Sequence, residues 1–144
     1  MSEEKSLPAI SINSQYIKDL SLEIPLAPGI FKEIKSAPSI DINVSTNADK
    51  LEDNTYNVSL SFELNGEINK KKLFILELVY AAVVTINVPA EHVEPVLLVE
   101  IPRILFPFAR SIVTNSLADA GLPPFMINPI DFATMYQARK STKN

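Results

Sequence analysis

Apolar and polar residues alternate through much of the chain, and the spacing becomes helical only towards its end. The clearest alternation sets Tyr56, Val58, Leu60, Phe62 and Leu64 against Asn57, Ser59, Ser61, Glu63 and Asn65. A period of two with one apolar side predicts a half-buried strand. Ile40, Ile42 and Val44 alternate in the same way with Asp41, Asn43 and Ser45. Ile10–Ile12 and Tyr16–Ile24 also read as extended. In the second run Ile17 interrupts an alternation of Tyr16, Lys18, Leu20, Leu22 and Ile24 against Asp19, Ser21 and Glu23. Period two puts Asp19 and Glu23 on one face with Ser21 between them. Pro25-Leu-Ala-Pro28-Gly29 ends this strand, and residues 25–39 form a proline-punctuated connection in which Ile30 and Phe31 offer packing groups.

Leu73 to Val88 is nearly all apolar. It falls short of the ~20 residues that a membrane-spanning helix needs. It also holds Glu77, Asn87 and many β-branched residues, so it predicts a strand pair or one long bent strand. Ile75, Glu77 and Val79 share one face; Leu76, Leu78 and Tyr80 share the other. The turn before it falls at Asn69–Lys72 rather than at Asn65-Gly66, because the alternation continues to Ile68. A strand apolar on both faces has too little of its own chain to cover it, which predicts oligomerisation. Leu76, Leu78 and Tyr80, with Phe108 and Ile112, are the candidate interface residues.

Ala90–Glu100 fits either a short helix or an extended segment. From about Ile104 to Ala120, apolar residues recur at helical spacing. Pro107 suits a first helical turn, Gly121 a left-handed C-terminal position, and Pro123-Pro124 forbids continuation. Asp131 is a good N-cap for a second helix from Phe132 to about Lys140. Phe132, Met135 and Tyr136 give that helix an apolar face. Residues 1–9 read as a disordered leader, 10–140 as one domain and 141–144 as a short polar tail.

Composition narrows the function. The 144 residues are 47% apolar, with 11 prolines, 3 glycines and no cysteine. Disulfides, thiol catalysis and thiolate metal sites are excluded. So few glycines do not suit a phosphate-cradling loop. Met1-Ser-Glu-Glu-Lys lacks the apolar core of a signal peptide, so the chain is expected to stay in the cytosol. Net charge is −4, but unevenly placed: residues 1–55 carry nine acids and five bases, residues 102–144 two acids and five bases. An acidic sheet disfavours nucleic acid and favours a basic protein partner.

Little else points to chemistry. His92, the single histidine, has no nucleophile or ligand set beside it and reads as an exposed loop residue. Lys70-Lys71-Lys72 reads as a solvated hairpin turn, and Arg103 and Arg110 as solvated charges. Asp19, Glu23 and Glu77 stand out as acids in apolar strands, although outward charge on a sheet also discourages aggregation. No catalytic set, metal site or cofactor site is expected, and no enzyme activity.

Several blocks nevertheless occur in a telling order. They are Tyr16-Ile-Lys-Asp-Leu-Ser-Leu-Glu23, Pro25-x-x-Pro28, Leu76-Glu-Leu78, Ile104-Leu-Phe-Pro-Phe-Ala-Arg110 and Asn128-Pro-Ile-Asp-Phe132. Together they resemble the SecB family of protein-export chaperones. The resemblance implies an α+β fold: a four-stranded antiparallel sheet with two C-terminal helices, assembled as a dimer of dimers. It implies a cytosolic chaperone that holds unfolded precursors without chemistry or ATP and passes them to the translocation ATPase SecA. The family's SecA-docking acids fall on Asp19, Glu23 and Glu77, with an apolar neighbour at Ile75. SecA's zinc-bearing tail would be the basic partner, the zinc belonging to SecA. Ile30, Phe31, Phe132, Met135 and Tyr136 are candidates for the client groove. In one respect the chain departs from the family, which often ends in a longer acidic tail. Here Arg139-Lys-Ser-Thr-Lys-Asn144 is short and basic, leaving a second SecA contact unsupported. The alternative is a chaperone of the same fold dedicated to one partner, such as an antitoxin.

Overall fold

The computed structural model describes residues 7–142. Four strands form one antiparallel sheet: β1 (Ile10–Glu23), β2 (Ser39–Glu52), β3 (Thr55–Ile68) and β4 (Lys71–Ile86). Their spatial order is β1-β4-β3-β2, so the most apolar strand lies inside the sheet and β1 and β2 form its edges. That order follows from hydrophobicity, because an inner strand is the one whose two sides are both paired. The apolar run is thus one long strand.

The β3–β4 hairpin turns at Asn69 and Lys70, both at positive φ (50° and 62°). This is the primed turn whose twist suits a two-residue hairpin, and it lies where the alternation places it. Lys71, just after it, pairs with Glu33 of the β1–β2 connection at 3.0 Å.

The break at Ile17 has a physical cause. The β1–β4 register slips between Ile17 and Asp19, leaving Lys18 as an unpaired bulge residue. A bulge inverts the parity of the side chains that follow. Ile17 therefore lies opposite Tyr80, on the side that Leu20 and Leu22 share opposite Leu78 and Leu76. Tyr16 goes to the other side, and its hydroxyl donates to Asn57 at 2.6 Å. The expected grouping of Tyr16 with Leu20 and Leu22 is thereby corrected.

Beyond the sheet the chain is helical earlier than expected. Helix α1 (Ala90–Pro95) runs through a π-helical turn (Val96–Glu100) into α2 (Ile101–Asp119). The segment 90–100 is therefore helical, and His92 lies exposed on α1 rather than in a loop. The helix widens just before Pro102, where the Ile101 N–H bonds to the Val96 carbonyl, five residues back. Pro107 sits in the helix interior rather than in its first turn. Its missing N–H would have served the Arg103 carbonyl, and both residues are on the exposed side, where water can substitute. At the far end the Leu122 N–H reaches Leu117 and the Gly121 N–H reaches Ala118, both at 3.1 Å. With Gly121 at φ +80°, this is the paired C-terminal motif that satisfies the last carbonyls.

Helix α2 lies across β3 and β4. Its Leu105, Phe106, Ala109, Val113 and Leu117 are buried against Leu60, Phe62, Leu64, Leu76 and Leu78. Arg110 stands over the Phe106 ring at 5.3 Å instead of pairing with a carboxylate. Helix α3 (Phe132–Thr142) then packs against the π turn, with Phe106 and Phe132 edge to face at 6.1 Å. Of the leader expected over 1–9, residues 1–6 lie outside the described residues, while the Pro8 and Ala9 carbonyls accept bonds from Asn87. Of the tail, 141 and 142 complete α3, and 143–144 lie outside the described residues.

Gly66 lies opposite Phe74 in the register, and both are buried. A Cβ on Gly66 would fall inside the Phe74 ring. Gly66→Ala should therefore destabilise the fold by roughly 2–3 kcal/mol through overpacking. Adding Phe74→Leu should recover part of the loss, because the two sites share one space. Urea unfolding checks both, and an unchanged midpoint for Gly66→Ala contradicts the packing.

Asp131 caps α3. One carboxylate oxygen accepts the Thr134 N–H at 3.0 Å and the other the Thr134 hydroxyl at 2.7 Å. The Thr134 N–H and then its hydroxyl hold this carboxyl below the ordinary aspartate value. A lowered folded-state pKa stabilises the fold above the unfolded value, and the effect is lost as pH falls through the lowered one. Asp131→Ala should thus unfold more readily than wild type near neutrality, with the gap narrowing in acid. A gap that does not change with pH contradicts this.

Candidate functional site

Directly paired residues share a face of an antiparallel sheet. The register therefore fixes what the side away from the helices presents. Asp19, Ser21 and Glu23 of β1 lie opposite Val79, Glu77 and Ile75 of β4. Those three lie opposite Ser61, Glu63 and Asn65 of β3, which in turn face Ser45, Asn43 and Asp41 of β2. The four residues Asp19, Glu23, Ile75 and Glu77, apart by more than fifty positions in sequence, thus share one open surface. The two bulges of β1 lie before Asp19, so Asp19, Ser21 and Glu23 keep strict period two.

This surface is acidic; the Lys72 ammonium reaches its Asn65 end at 3.4 Å, but its carboxylates are unpaired among the described residues. Among the described residues the ion pairs are Lys50–Asp53, Lys71–Glu33 and Arg103–Glu100, none of them on this face. Glu77 is exposed between half-buried Ile75 and Val79. Glu63 stands directly opposite Glu77 and accepts a bond from Asn65 at 3.2 Å. Like charges facing each other across strands are unfavourable. A shallow depression of about 280 Å³ lies here, bordered by Asp19, Ser61, Glu63, Glu77 and Val79. Reading the strands one at a time misses Glu63, which looks like any outward polar residue until the register sets it against Glu77.

The helix side of the sheet is only partly covered. Leu76 and Leu78 have no exposed surface, so as packed here they are core beneath α2 and not available to an interface. Tyr80 is nearly buried; its hydroxyl donates to Gln15 at 3.0 Å and its ring stacks on Phe108 at 6.4 Å. Phe108 is 49% exposed and Ile112 half-buried. Ile17 and Leu20 on β1 and Ile104 on α2 add to this open apolar area, with 47%, 41% and 39% exposure. Those three were not among the expected interface residues. The signal for Ile17 was its break in parity.

A second feature lies where β2 meets α3. Two depressions, of about 440 and 330 Å³, flank this junction. Tyr136 and Arg139 line both, Met135 the smaller. The Arg139 guanidinium donates to the Thr46 carbonyl at 2.9 Å and ties α3 to β2. The Tyr136 hydroxyl donates to Glu94 at 3.0 Å; burial first, then this carboxylate, raises its pKa. Of the five groove candidates, Met135 and Tyr136 line this groove. Ile30 and Phe132 are core, each 2% exposed, because the connection and α3 pack through them. Phe31 is exposed and borders Gly121. Sequence reasoning missed Lys50, Arg139 and Lys140, which border the larger depression; positions near a strand end and at the end of the second helix gave no sign that they converge.

Among the described residues, no group of three or more His, Cys, Asp or Glu side chains is arranged to hold a metal ion. No helix among them is long and apolar enough to cross a membrane. The arrangement offers surfaces for binding.

Known proteins are similar to this chain in sequence or in fold. The family model described as preprotein translocase subunit SecB matches residues 3–143. The protein-export protein SecB of Rhodospirillum rubrum is 48% identical over 144 residues, covering 96% of this chain and 90% of its own. That of Paramagnetospirillum magneticum is also 48% identical, over 141 residues, with 97% and 91% covered. Among solved structures, a Mycobacterium tuberculosis SecB-like chaperone in complex with a peptide from the HigA1 antitoxin superposes with a TM-score of 0.70. It covers 85% of this chain and 91% of its own at 15% identity, a likeness of fold alone.

Proposed function

The chain belongs to the SecB family, and from that premise we infer how it works as a chaperone for preprotein export. The match along nearly the whole chain to export proteins at 48% identity carries this reading. It also favours export over service to a single antitoxin, since the antitoxin-binding neighbour shares only the fold.

Its clients are unfolded precursors, and it holds them by contact without nucleotide. Apolar groove surface gains about 25 cal/mol for each Å² removed from water, irrespective of client sequence. The groove between β2 and α3, with Met135 and Tyr136, is the client surface that we favour. Phe31, exposed beside Gly121, is a separate candidate contact. Several weak sites on one assembly strengthen one another through effective concentration. On this reading the working compartment is the cytosol.

The assembly is a homotetramer, a dimer of dimers. Its support here is the open apolar area of Ile17, Leu20, Ile104 and Phe108 beside Tyr80, four large apolar side chains that a neighbouring chain would cover. The partner in delivery is SecA, whose zinc-bearing basic tail docks on Asp19, Glu23, Ile75 and Glu77. The support is the family resemblance together with an acidic face whose carboxylates Asp19, Glu23, Glu63 and Glu77 have no ion-pair partner among the described residues.

Sedimentation at micromolar concentration should give the mass of four 15.9 kDa chains, and Phe108→Asp should yield smaller species. A wild-type monomer throughout that range contradicts the assembly.

Glu77→Lys should weaken binding of SecA's C-terminal peptide by about tenfold or more, because it removes an attraction and adds a repulsion. The wild-type affinity should fall with salt. Suppression of precursor aggregation should persist, with the assembly intact. Calorimetry beside an aggregation assay checks this: unchanged peptide binding by an intact variant contradicts the SecA site. Loss of aggregation suppression by wild type contradicts the chaperone reading.

A further inference from the structure

The side of the sheet away from the helices hides a side chain that no helix covers. Ala81 of β4 has no exposed surface, yet it lies outside the hydrophobic core. It follows Glu77 and Val79 on the outer face, because alternate residues of an unbroken strand share a face. Tyr16 pairs with Ala81 from β1 and supplies the cover. The Tyr16 hydroxyl donates to Asn57 at 2.6 Å, and Asn57 belongs to β3, opposite Val83. The side chain therefore reaches over β4 from one neighbouring strand to the other. Its ring must lie along the sheet instead of standing up from it.

A tyrosine held at its backbone and at its hydroxyl has little rotamer freedom left to lose on contact with a partner. The ring is still 37% exposed, so its upper side is open. What stands beside it is set by the bulge at Lys18. In an unbroken strand Lys18 would follow Tyr16 on the outer face, and Asp19 would point to the helix side. The extra residue moves Asp19 opposite Val79 instead, so that an aspartate takes the place next to the ring that a lysine would have held. Ala81 and Val79 are two residues apart, about 7 Å along β4. The shallow depression of about 280 Å³ is bordered by the same Asp19 and Val79. The ring thus adjoins the acidic site on its β1 side.

We propose that Tyr16 is a further specificity-determining residue of the docking face: its ring is the platform for an arginine of the basic partner, whose guanidinium stacks on the ring and pairs with Asp19. The inference rests on the reading of this face as the docking site for SecA's basic tail, and adds to it a group that the acids do not supply. Carboxylates attract any cation, and an exposed ammonium satisfies them as well as a guanidinium does. A fixed aromatic face beside one of them favours the planar, weakly hydrated guanidinium, which can stack and pair at once. The acids bring the basic segment to the sheet, and the ring sets which residue of it lies over β4.

The test is calorimetry of the full chain with SecA's C-terminal peptide and with a copy carrying lysine for arginine, on variants of wild-type assembly and unfolding midpoint. Tyr16→Leu still covers Ala81 but has no ring; it should bind the peptide about three- to fivefold more weakly, while Tyr16→Phe stays within about twofold of wild type. Wild type should prefer the arginine peptide by about threefold, and Tyr16→Leu should not discriminate. In Tyr16→Leu/Asp19→Asn the loss should fall short of the product of the two single losses, because one guanidinium serves both groups. Unchanged binding by Tyr16→Leu, with Glu77→Lys weakened, overturns the platform and leaves the docking reading intact. So does equal weakening by Tyr16→Phe and Tyr16→Leu, which assigns the effect to the lost bond to Asn57, and so does equal affinity of wild type for the two peptides. Unchanged binding by both Tyr16→Leu and Glu77→Lys overturns the docking reading as well.

Discussion

One helix cannot cover four strands. Strands about 4.8 Å apart make a sheet roughly 14 Å wide between its outer axes, whereas a helix with side chains spans about 10 Å. Helix α2 therefore shelters the inner pair, β3 and β4, and the core forms there. The inner sides of β1 and β2 are left half-covered. On the β2 side α3 and the π turn approach but leave depressions. On the β1 side Ile17 and Leu20 stay open. Both candidate contact regions on the helix side thus come from the same shortage of cover.

The opposite side of the sheet obeys a different constraint. No helix covers it, so its residues must tolerate water, and alternation supplies Ser, Asn, Asp and Glu there. Antiparallel register then decides which of them become neighbours. Four carboxylates in three strands, Glu77 among them, share this face without an ion-pair partner among the described residues. A protein gains nothing in stability from such an arrangement; it makes sense as a face kept for something basic. With the cation-bordered cleft near α3, charge is divided between two sides of a small molecule.

Much of this was legible in the sequence where one local rule decided the outcome. Alternation gave the faces of β3 and β4, the failure of Asn65-Gly66 to stop that alternation placed the turn at Asn69-Lys70, and Asp131 announced α3. The rest required knowledge of what lies opposite. Leu76 and Leu78 looked like an interface because the sequence does not say which side α2 will cover. Ile30 and Phe132 looked like groove residues and became core for the same reason. Pro107 read as part of a first helical turn, because proline is disfavoured in helix interiors; the exposed Arg103 carbonyl removed that objection. Within the candidate site, Asp19, Glu23, Ile75 and Glu77 were legible through their faces and the family likeness. Glu63, Lys50, Arg139 and Lys140 were not, since only tertiary pairing gives them neighbours.

The π turn at Val96–Glu100 has a consequence for how such a chain can vary. One residue more or less in a helix turns everything beyond it by about 100°. Leu97 and Leu98, which floor the larger cleft, lie within that turn, whereas the residues that hold the sheet follow it in α2. The turn therefore acts as a phase adjuster between two parts of one continuous helix. A single insertion or deletion there re-aims the side chains towards the cleft and leaves those over β3 and β4 in place. Because Leu97, Leu98 and Val99 are themselves buried and α3 packs on the turn, such a change would revise the cleft and the seat of α3 together.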